Sequence, residues 1–176
     1  MAKDPDDGTP RYGLSDEERR INLNTAPGAV LQRLIEQLGG LRERQAIELA
    51  DAIQDWRDKD HDQRPFGAEG FYYRSLRDAY DCKDGPFENV EELLLVRGMS
   101  PDLSRRLEPF ITVYGSGAVN LNTAGPTVLR ALGLSGTGVA GVTAYRGGED
   151  GQEGTRPTAT WQSRTRPRPR SPFTPE

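Results

Sequence analysis

Residues 21–56 read INLNTAPGAVLQRLIEQLGGLRERQAIELADAIQDW, and this stretch decides the fold. Apolar residues recur every three or four positions on both sides of a glycine pair, which is the spacing of amphipathic helices. Asn24 and Thr25 can cap the first helix, and Gly39 and Gly40 stop it. The predicted apolar faces are Val30, Leu31, Leu34 and Leu38 in the first helix and Ala46, Leu49, Ala50 and Ile53 in the second.

A second helical hairpin is predicted over residues 85–115, GPFENVEELLLVRGMSPDLSRRLEPFITVYG. Asn89 and Glu92 have the spacing of a capping box, and Gly98 ends the helix that they start. Residues 110–114 are rich in β-formers and are expected to be extended. The predicted core-facing residues of this hairpin are Leu93, Leu94, Val96, Leu103 and Leu107.

The opening phrase of the first hairpin returns later in the chain. VNLNTA at residues 119–124 repeats INLNTA at residues 21–26, and apolar residues follow both phrases at the same spacing, so the chain contains an internal repeat. Residues 21–23 and 119–121 are expected to form short extended segments. We expect the second copy to be weaker, because the stretch up to residue 147 is rich in glycine and poor in helix formers.

These segments divide the chain into four parts. Residues 1–20 form a polar, flexible lead-in, residues 21–115 a helical domain, residues 116–146 the second copy of the repeat, and residues 147–176 a tail. Arginine and proline alternate near the end of the tail, and such a composition cannot build a core, so we expect a disordered basic tail. The predicted fold class is mainly α with short strands.

The loop between the two hairpins is crowded with carboxylates, which are Asp55, Asp58, Asp60, Asp62 and Glu69. The last four have the spacing of ligand positions 1, 3, 5 and 12 of an EF-hand loop. Gln63 occupies the position that needs glycine and Pro65 restricts the backbone, so a true EF-hand is not expected. The crowded oxygen ligands still favour a bound cation. The alternative is a solvated acidic loop relieved by Arg57, Lys59 and Arg64.

Composition excludes several classes of function. The chain has 176 residues, 34% of them hydrophobic, and a net charge of −4 with a pI of about 5.2, which gives no general attraction to nucleic acid or anionic membranes. Cys82 is the single cysteine and His61 the single histidine, so an internal disulfide is impossible and no nucleophilic catalytic set is indicated. We expect a protein that is not an enzyme. The sequence has no apolar run long enough to span a bilayer.

Both hairpins resemble helix-hairpin-helix units, and the second resembles that of competence-type DNA-binding proteins. Such units hold phosphates with backbone amides at the hairpin glycines, helped by nearby cations. The cations near the two tips here are Arg42, Arg44 and Arg97. Nucleic-acid binding through these residues is therefore the alternative function, and the acidic character of the rest of the domain argues against it.

A second resemblance covers residues 20–146. The ordered series INLNTAP, AIQDWRDKD, GAEGFYY, GPFENVEELLLVRGM, LEPFITVYG and VNLNTA resembles the minor pseudopilin K family of the bacterial type II secretion system. The resemblance implies helix-hairpin-helix-like (SAM-like) units in a helical domain inserted into an α+β pilin fold. Residues 116–146 would then be a partial pilin-like region, so the short strands would be remnants of that fold.

The same resemblance implies a function. It implies a periplasmic domain at the tip of a short pseudopilus that supports protein export across the outer membrane, bound to the I and J partner pseudopilins. The family is anchored in the inner membrane by a long apolar N-terminal helix, which this sequence does not contain. The resemblance also implies Ca²⁺ in the helical domain, with Asp55, Asp58, Asp60 and Glu69 matching the acidic motif and Asp62 as a further candidate ligand. Gly70 stands where the family's GAED phrase has its second acidic residue.

Overall fold

The computed structural model describes residues 16–147 without a break, and positions 2, 3, 6, 8, 10 and 11 before them. The described residues form six α-helices, α1 (Gly28–Gly39), α2 (Glu43–Arg57), α3 (Gly70–Arg74), α4 (Pro101–Leu107), α5 (Pro126–Ala131) and α6 (Gly136–Gly147). They also form four two-residue strands, β1 (Ala2–Lys3), β2 (Pro10–Arg11), β3 (Ile21–Asn22) and β4 (Ile111–Thr112). Three 3₁₀ helices cover Glu17–Arg19, Val90–Leu95 and Glu108–Phe110. The fold is mainly α, as predicted.

The first hairpin consists of α1 and α2, and α1 is the central helix of the domain. It contacts α2, α4 and α5. Its buried residues are Val30, Leu31, Leu34 and Ile35, and the buried residues of α2 include Ala46, Leu49, Ala50 and Ile53. Gly40 follows α1 with a φ of 61°, a left-handed conformation that glycine adopts without steric cost. Asn24 does not cap α1 as expected, because its side chain binds the backbone of Phe87.

The two ends of the helical domain meet in a parallel strand pair. β3 pairs with β4, with Ile21 opposite Ile111 and Asn22 opposite Thr112. The Leu23 N–H extends the pairing by donating to the Thr112 carbonyl at 2.8 Å. This pairing confirms the extended segment predicted at the start of the first hairpin. Of residues 110–114, predicted to be extended at the end of the second hairpin, Ile111 and Thr112 form the strand, whereas Phe110 belongs to a 3₁₀ helix.

The second hairpin begins with a 3₁₀ helix rather than the expected α-helix. The predicted capping box is present, with Glu92 N–H 3.0 Å from Asn89 Oδ1 and Asn89 N–H 3.2 Å from Glu92 Oε1. A 3₁₀ helix has three residues per turn, so Leu93 and Val96 share one side. Both are buried, whereas Leu94 is 49% exposed. The prediction that Leu94 faces the core was therefore wrong.

The second copy of the repeat also folds as a hairpin, formed by α5 and α6. The expected strand at residues 119–121 is absent, and the Asn120 N–H donates to the Glu18 carbonyl at 2.8 Å instead. The glycine-rich stretch forms α6, contrary to the expectation of little helix. Val139 is buried on this helix, and Arg146 at its end binds back to the turn before α5. Tertiary contacts thus outweigh the low helix propensity of glycine.

Each copy of the NTA phrase forms a turn that is held by an arginine from the second helix of its hairpin. Arg57 donates to the carbonyls of Leu23 and Ala26 at the first turn, and Arg146 donates to those of Leu121 and Ala124 at the second. We call these pairs of hydrogen bonds the arginine clamps. They join the end of each hairpin to its start.

Part of the lead-in is packed on the domain, which corrects the expectation of flexibility for that part. Asp16 accepts hydrogen bonds from Thr123 Oγ1 at 2.6 Å and Asn120 Nδ2 at 2.9 Å. β1 and β2 pair antiparallel. The tail after Gly147 lies outside the described residues, so the expectation of disorder there stays a prediction. Within the described part of the chain, no helix has both the length and the apolar composition needed to span a bilayer.

Candidate metal centre

The acidic loop leaves the last turn of α2 and returns to the core at α3. Asp55 lies on α2 and is fully buried, Asp58 follows the last residue of α2, and Glu69 immediately precedes α3. The helix ends therefore bring three of the five predicted carboxylates together. Burial raises the pKa of Glu69, and repulsion from Asp55 and Asp58 adds to this effect.

Aromatic rings fix the returning part of the loop against α2. Trp56 makes edge-to-face contacts with Tyr73 at 5.1 Å and with Tyr80 at 6.3 Å between ring centroids. The Tyr73 ring is fully buried, and its hydroxyl oxygen accepts the Arg97 N–H at 3.2 Å. Burial raises the pKa of the Tyr73 hydroxyl above its usual range. This packing orders a loop that has little regular secondary structure.

Arg64 is the cation that the structure places among the carboxylates. Its guanidinium Nη1 lies 2.7 Å from Asp55 Oδ1 and 2.5 Å from Asp58 Oδ2. Burial nevertheless raises the pKa of Asp55, and Arg64 offsets only part of this effect. Gly67 approaches the same carboxylate so closely that a Cβ there would lie 1.9 Å from Asp55 Oδ2. Arg57, expected to relieve the loop, is attracted by the Asp58 carboxylate and also clamps the first NTA turn.

Several carboxylate oxygens of the cluster have no hydrogen-bond partner among the described residues. Glu69 is 5% exposed, and neither of its carboxylate oxygens is satisfied. Asp58 Oδ1 and Asp84 Oδ1 are also buried without a partner there. Burial is the largest cause of the raised pKa of Glu69, and repulsion from Asp55, Asp84 and Asp58 adds to it. Unsatisfied buried oxygens are costly, so this arrangement is suited to a cation.

Sequence reasoning missed one carboxylate of the cluster and included two that lie outside it. Asp84, fifteen residues after Glu69, has a left-handed φ of 48°, and its Oδ2 lies 3.4 Å from Nδ1 of His61. In the sequence, Asp84 is followed by Gly85, and an Asp-Gly pair favours a turn with a left-handed residue. This turn was the signal that could have pointed to Asp84. Asp60 and Asp62 are exposed, and the Asp62 N–H donates to Asp60 Oδ1 at 2.9 Å. The structure does not bring those two carboxylates to the buried ones.

A comparison with protein families gives a match to "Type II secretion system (T2SS), protein K" over residues 12–116. The chain belongs to the T2SS protein K family. The matched region contains both hairpins and the whole carboxylate cluster, so the candidate metal centre lies within the part of the chain that the family shares.

Individual members of the T2SS protein K family support the assignment. The chain is 35% identical to type II secretion system protein K of Aeromonas hydrophila over 133 residues, covering 72% of this chain and 39% of that protein. It is also 35% identical to the Pseudomonas aeruginosa protein over 138 residues, covering 72% of this chain and 41% of that one. The chain thus spans about two fifths of the length of these relatives.

A solved structure has the same fold. It is a chain from the crystal structure of the GspK–GspI–GspJ complex of the type 2 secretion system of enterotoxigenic Escherichia coli. The TM-score is 0.60 at 23% sequence identity, and the match covers 66% of this chain and 47% of that chain.

The alternative of nucleic-acid binding is not supported by this family relationship. Arg97 is already engaged, since its Nη1 donates to the Gly67 carbonyl at 2.9 Å and its guanidinium lies 5.0 Å from the centroid of the Tyr72 ring. Arg44 is exposed and pairs with Glu48 at 3.0 Å. Arg42 is exposed, with its backbone N–H bound to Gln45 Oε1. The three arginines predicted for nucleic-acid binding therefore do not form a phosphate-binding site.

Proposed function

We propose that this chain is a part of a minor pseudopilin, a structural and non-enzymatic subunit of the tip complex of the type II secretion pseudopilus. The family match over residues 12–116 carries this proposal. In this role the chain would support protein export across the outer membrane by assembling with other subunits. Its partners would be the minor pseudopilins of the I and J types.

The location follows from the same role. The domain would lie in the periplasm, and the protein would be held in the inner membrane by an apolar helix outside this sequence. The first two hairpins, each with a glycine at its turn, would be helix-hairpin-helix-like (SAM-like) units used for assembly. The paired strands would be remnants of an α+β pilin fold. The parallel pairing of β3 and β4 supports this view, because it gathers the two ends of the helical domain at one place.

The assembly proposal is tested by mixing the chain with purified periplasmic domains of the I and J pseudopilins on a sizing column. Pilin-type subunits would join through their shared fold while the helical insert projects, so the contact surface should flank β3 and β4. Tyr114, the second residue after β4, is 65% exposed, and Tyr114→Asp should weaken the complex. Phe71→Ser, a change at an 85% exposed ring on α3, is the matched control and should leave it intact. Failure of the unmodified chain to join the complex would contradict the proposal.

We propose further that the carboxylate cluster binds one Ca²⁺. Glu69 and Asp84, whose carboxylate oxygens lie within 4.8 Å of each other, would supply protein oxygens. Asp58 Oδ1 would be a further candidate, and Asp55 would hold Arg64 beside them. The unsatisfied oxygens of these three carboxylates carry this proposal. Asp60 and Asp62 would remain outside the ligand set, because both are exposed to solvent. The ion's role would be structural, pinning the loop between the hairpins.

The donor set suits Ca²⁺ better than other divalent ions. Ca²⁺ takes six to eight oxygen ligands in flexible geometry, whereas Mg²⁺ demands a near-ideal octahedron and keeps several waters. The atoms that His61, Glu69 and Asp84 could offer to a metal lie within 4.8 Å of one another. A histidine with two carboxylates would also suit Zn²⁺, so Zn²⁺ is the competitor that the experiment must include.

Thermal melting with metal and with chelator tests the site. Free Ca²⁺ at about one hundred times its Kd should add roughly 2.7 kcal/mol to the free energy of unfolding. Glu69→Gln keeps the side-chain shape and should abolish this gain. Asp60→Asn removes a carboxylate from the same loop but outside the cluster, so it should retain the gain. Equal melting of the unmodified chain with Ca²⁺ and with chelator would contradict the proposal, and stabilisation by Zn²⁺ alone, lost in His61→Ala, would reassign the metal.

A further inference from the structure

A groove on the surface of the second hairpin lies between its 3₁₀ helix and α4. Glu91 and Leu94 share one side of the 3₁₀ helix, because residues three apart are aligned when a turn contains three residues. Pro101, Arg105 and Glu108 have the spacing of one face of α4, with Glu108 directly after its last residue. These two surfaces form the walls of the groove.

The groove has an apolar floor that is open to solvent. Leu94 is 49% exposed, Pro101 is exposed, and Val90 is partly buried against the core. The volume of the groove is about 200 Å³. A cavity of roughly 150 Å³ lined by apolar side chains can hold a benzene molecule. The groove therefore has room for one aliphatic side chain of another molecule.

The charged side chains that line the groove are not balanced. Arg105 is already paired, since its Nη2 lies 3.3 Å from Asp102 Oδ1. Glu91 and Glu108 are exposed, and neither carboxylate has an ion-pair or hydrogen-bond partner within residues 16–147. One of these carboxylates comes from each wall of the groove. The groove thus combines an apolar floor with two unpaired negative charges.

We propose that this groove binds a segment of another polypeptide that presents one aliphatic side chain between two cationic side chains. The aliphatic side chain would lie on the floor formed by Val90, Leu94 and Pro101. The two cations would pair with Glu91 and Glu108. An anionic segment would be repelled by the same two carboxylates, so charge complementarity selects the cationic one. The net charge of −4 on the whole chain favours the approach of such a segment.

A short synthetic peptide with this pattern is a suitable probe. In an extended chain, alternate side chains point to the same face. In the pentapeptide acetyl-Lys-Ala-Leu-Ala-Lys-amide, the leucine and both lysines therefore share one face. The matched anionic peptide replaces both lysines by glutamate and keeps the leucine. Neither peptide contains any part of a pseudopilin, so this inference and the assembly proposal can fail independently of each other.

Titration of the full chain with the lysine peptide, followed by NMR, tests the groove. The backbone signals of Leu94 and Arg105 should shift and reach saturation. Glu91→Gln/Glu108→Gln should weaken binding about threefold or more, because two exposed ion pairs are lost. Glu43→Gln/Asp78→Asn is the matched control, since it removes the same charge from exposed positions outside the groove and should not change the affinity. Circular dichroism of each variant should match that of the unmodified chain, because all four positions are exposed.

Three results would overturn the proposal. The first is the absence of saturable shifts at Leu94 and Arg105. The second is equal binding of the lysine and glutamate peptides, or equal weakening in the groove variant and its control, either of which would leave no role for the two carboxylates. The third is a set of shifts that appears on concentrating the chain without peptide, together with a dimer in sedimentation, which would assign the groove to a second copy of the chain.

Discussion

Replacing Arg57 by methionine keeps the apolar stem of the side chain and removes both hydrogen bonds of the first arginine clamp. The acceptors are the carbonyls of Leu23 and Ala26, and these residues are only 1% and 6% exposed. Water cannot readily replace the guanidinium at such positions. The substitution therefore leaves two buried carbonyl oxygens without a donor.

The loss of stability follows from the number of hydrogen bonds that the substitution removes. A hydrogen bond to a charged group contributes about 1.5–3 kcal/mol, so two give about 3–6 kcal/mol. The variant recovers the cost of burying the guanidinium, a cost that also lowers the pKa of Arg57. We therefore expect a loss near the lower limit, about 3 kcal/mol, or about 10 °C in Tm. Arg57→Lys should lose about half as much, because a single ammonium cannot replace the guanidinium fork.

Urea denaturation followed by far-ultraviolet circular dichroism measures this loss, at one fixed Ca²⁺ concentration. The m-value should stay constant, since the surface exposed on unfolding does not change. Arg44→Met is the matched control, because Arg44 is exposed and makes only surface contacts, with Glu48 one helical turn away and with the Phe66 ring at 5.6 Å. Its loss should stay below about 0.5 kcal/mol. A loss below about 1 kcal/mol for Arg57→Met, or equal losses for the methionine and lysine variants, would refute the clamp.

Two further predictions concern glycines and acid stability. Gly67→Ala should destabilise the domain by at least about 2 kcal/mol, because the new Cβ would meet the Asp55 carboxylate. Gly141→Ala, with open space around it in α6, should instead stabilise the domain by up to about 1 kcal/mol. The opposite order of stability in urea denaturation would contradict this prediction. A hydrogen bond from Thr123 holds the pKa of Asp16 below its usual value, so its contribution to stability is present above about pH 4 and is lost as the pH falls. Asp16→Asn should flatten the pH dependence of Tm between about pH 5 and pH 2, and an unchanged slope would exclude this role for Asp16.

The sequence predicted the first hairpin well because several local signals agree there. Apolar periodicity, the glycine turn and the arginine-bearing end of α2 all favour the same structure. The 3₁₀ helix before Val96 was not predictable, because its residues suit an α-helix equally well. α6 was missed for the opposite reason, since its glycines oppose the helix that the packing of Val139 and the Arg146 clamp produces.

The candidate metal centre was predictable only where helix ends determine side-chain positions. Asp55 and Asp58 follow from the end of α2, and Glu69 from the start of α3. Asp60 lies in the irregular part of the loop, where alternation along the chain does not decide which side chains face inward. Asp84 joins the cluster through long-range packing of the loop on Trp56, and spacing along the sequence carries no signal for such packing.

The parallel pairing of β3 with β4 determines how the domain responds to a mechanical load. The chain enters the helical domain at the start of β3 and leaves it at the end of β4. A force pulling these two ends apart acts along both strands in opposite directions. It therefore loads their hydrogen bonds together in shear rather than one after another. The helices between the strands carry none of this tension until the strand pair slides. This short pair, together with the Glu18–Asn120 and Asp16–Thr123 hydrogen bonds that flank it, is therefore the force-bearing link of the domain.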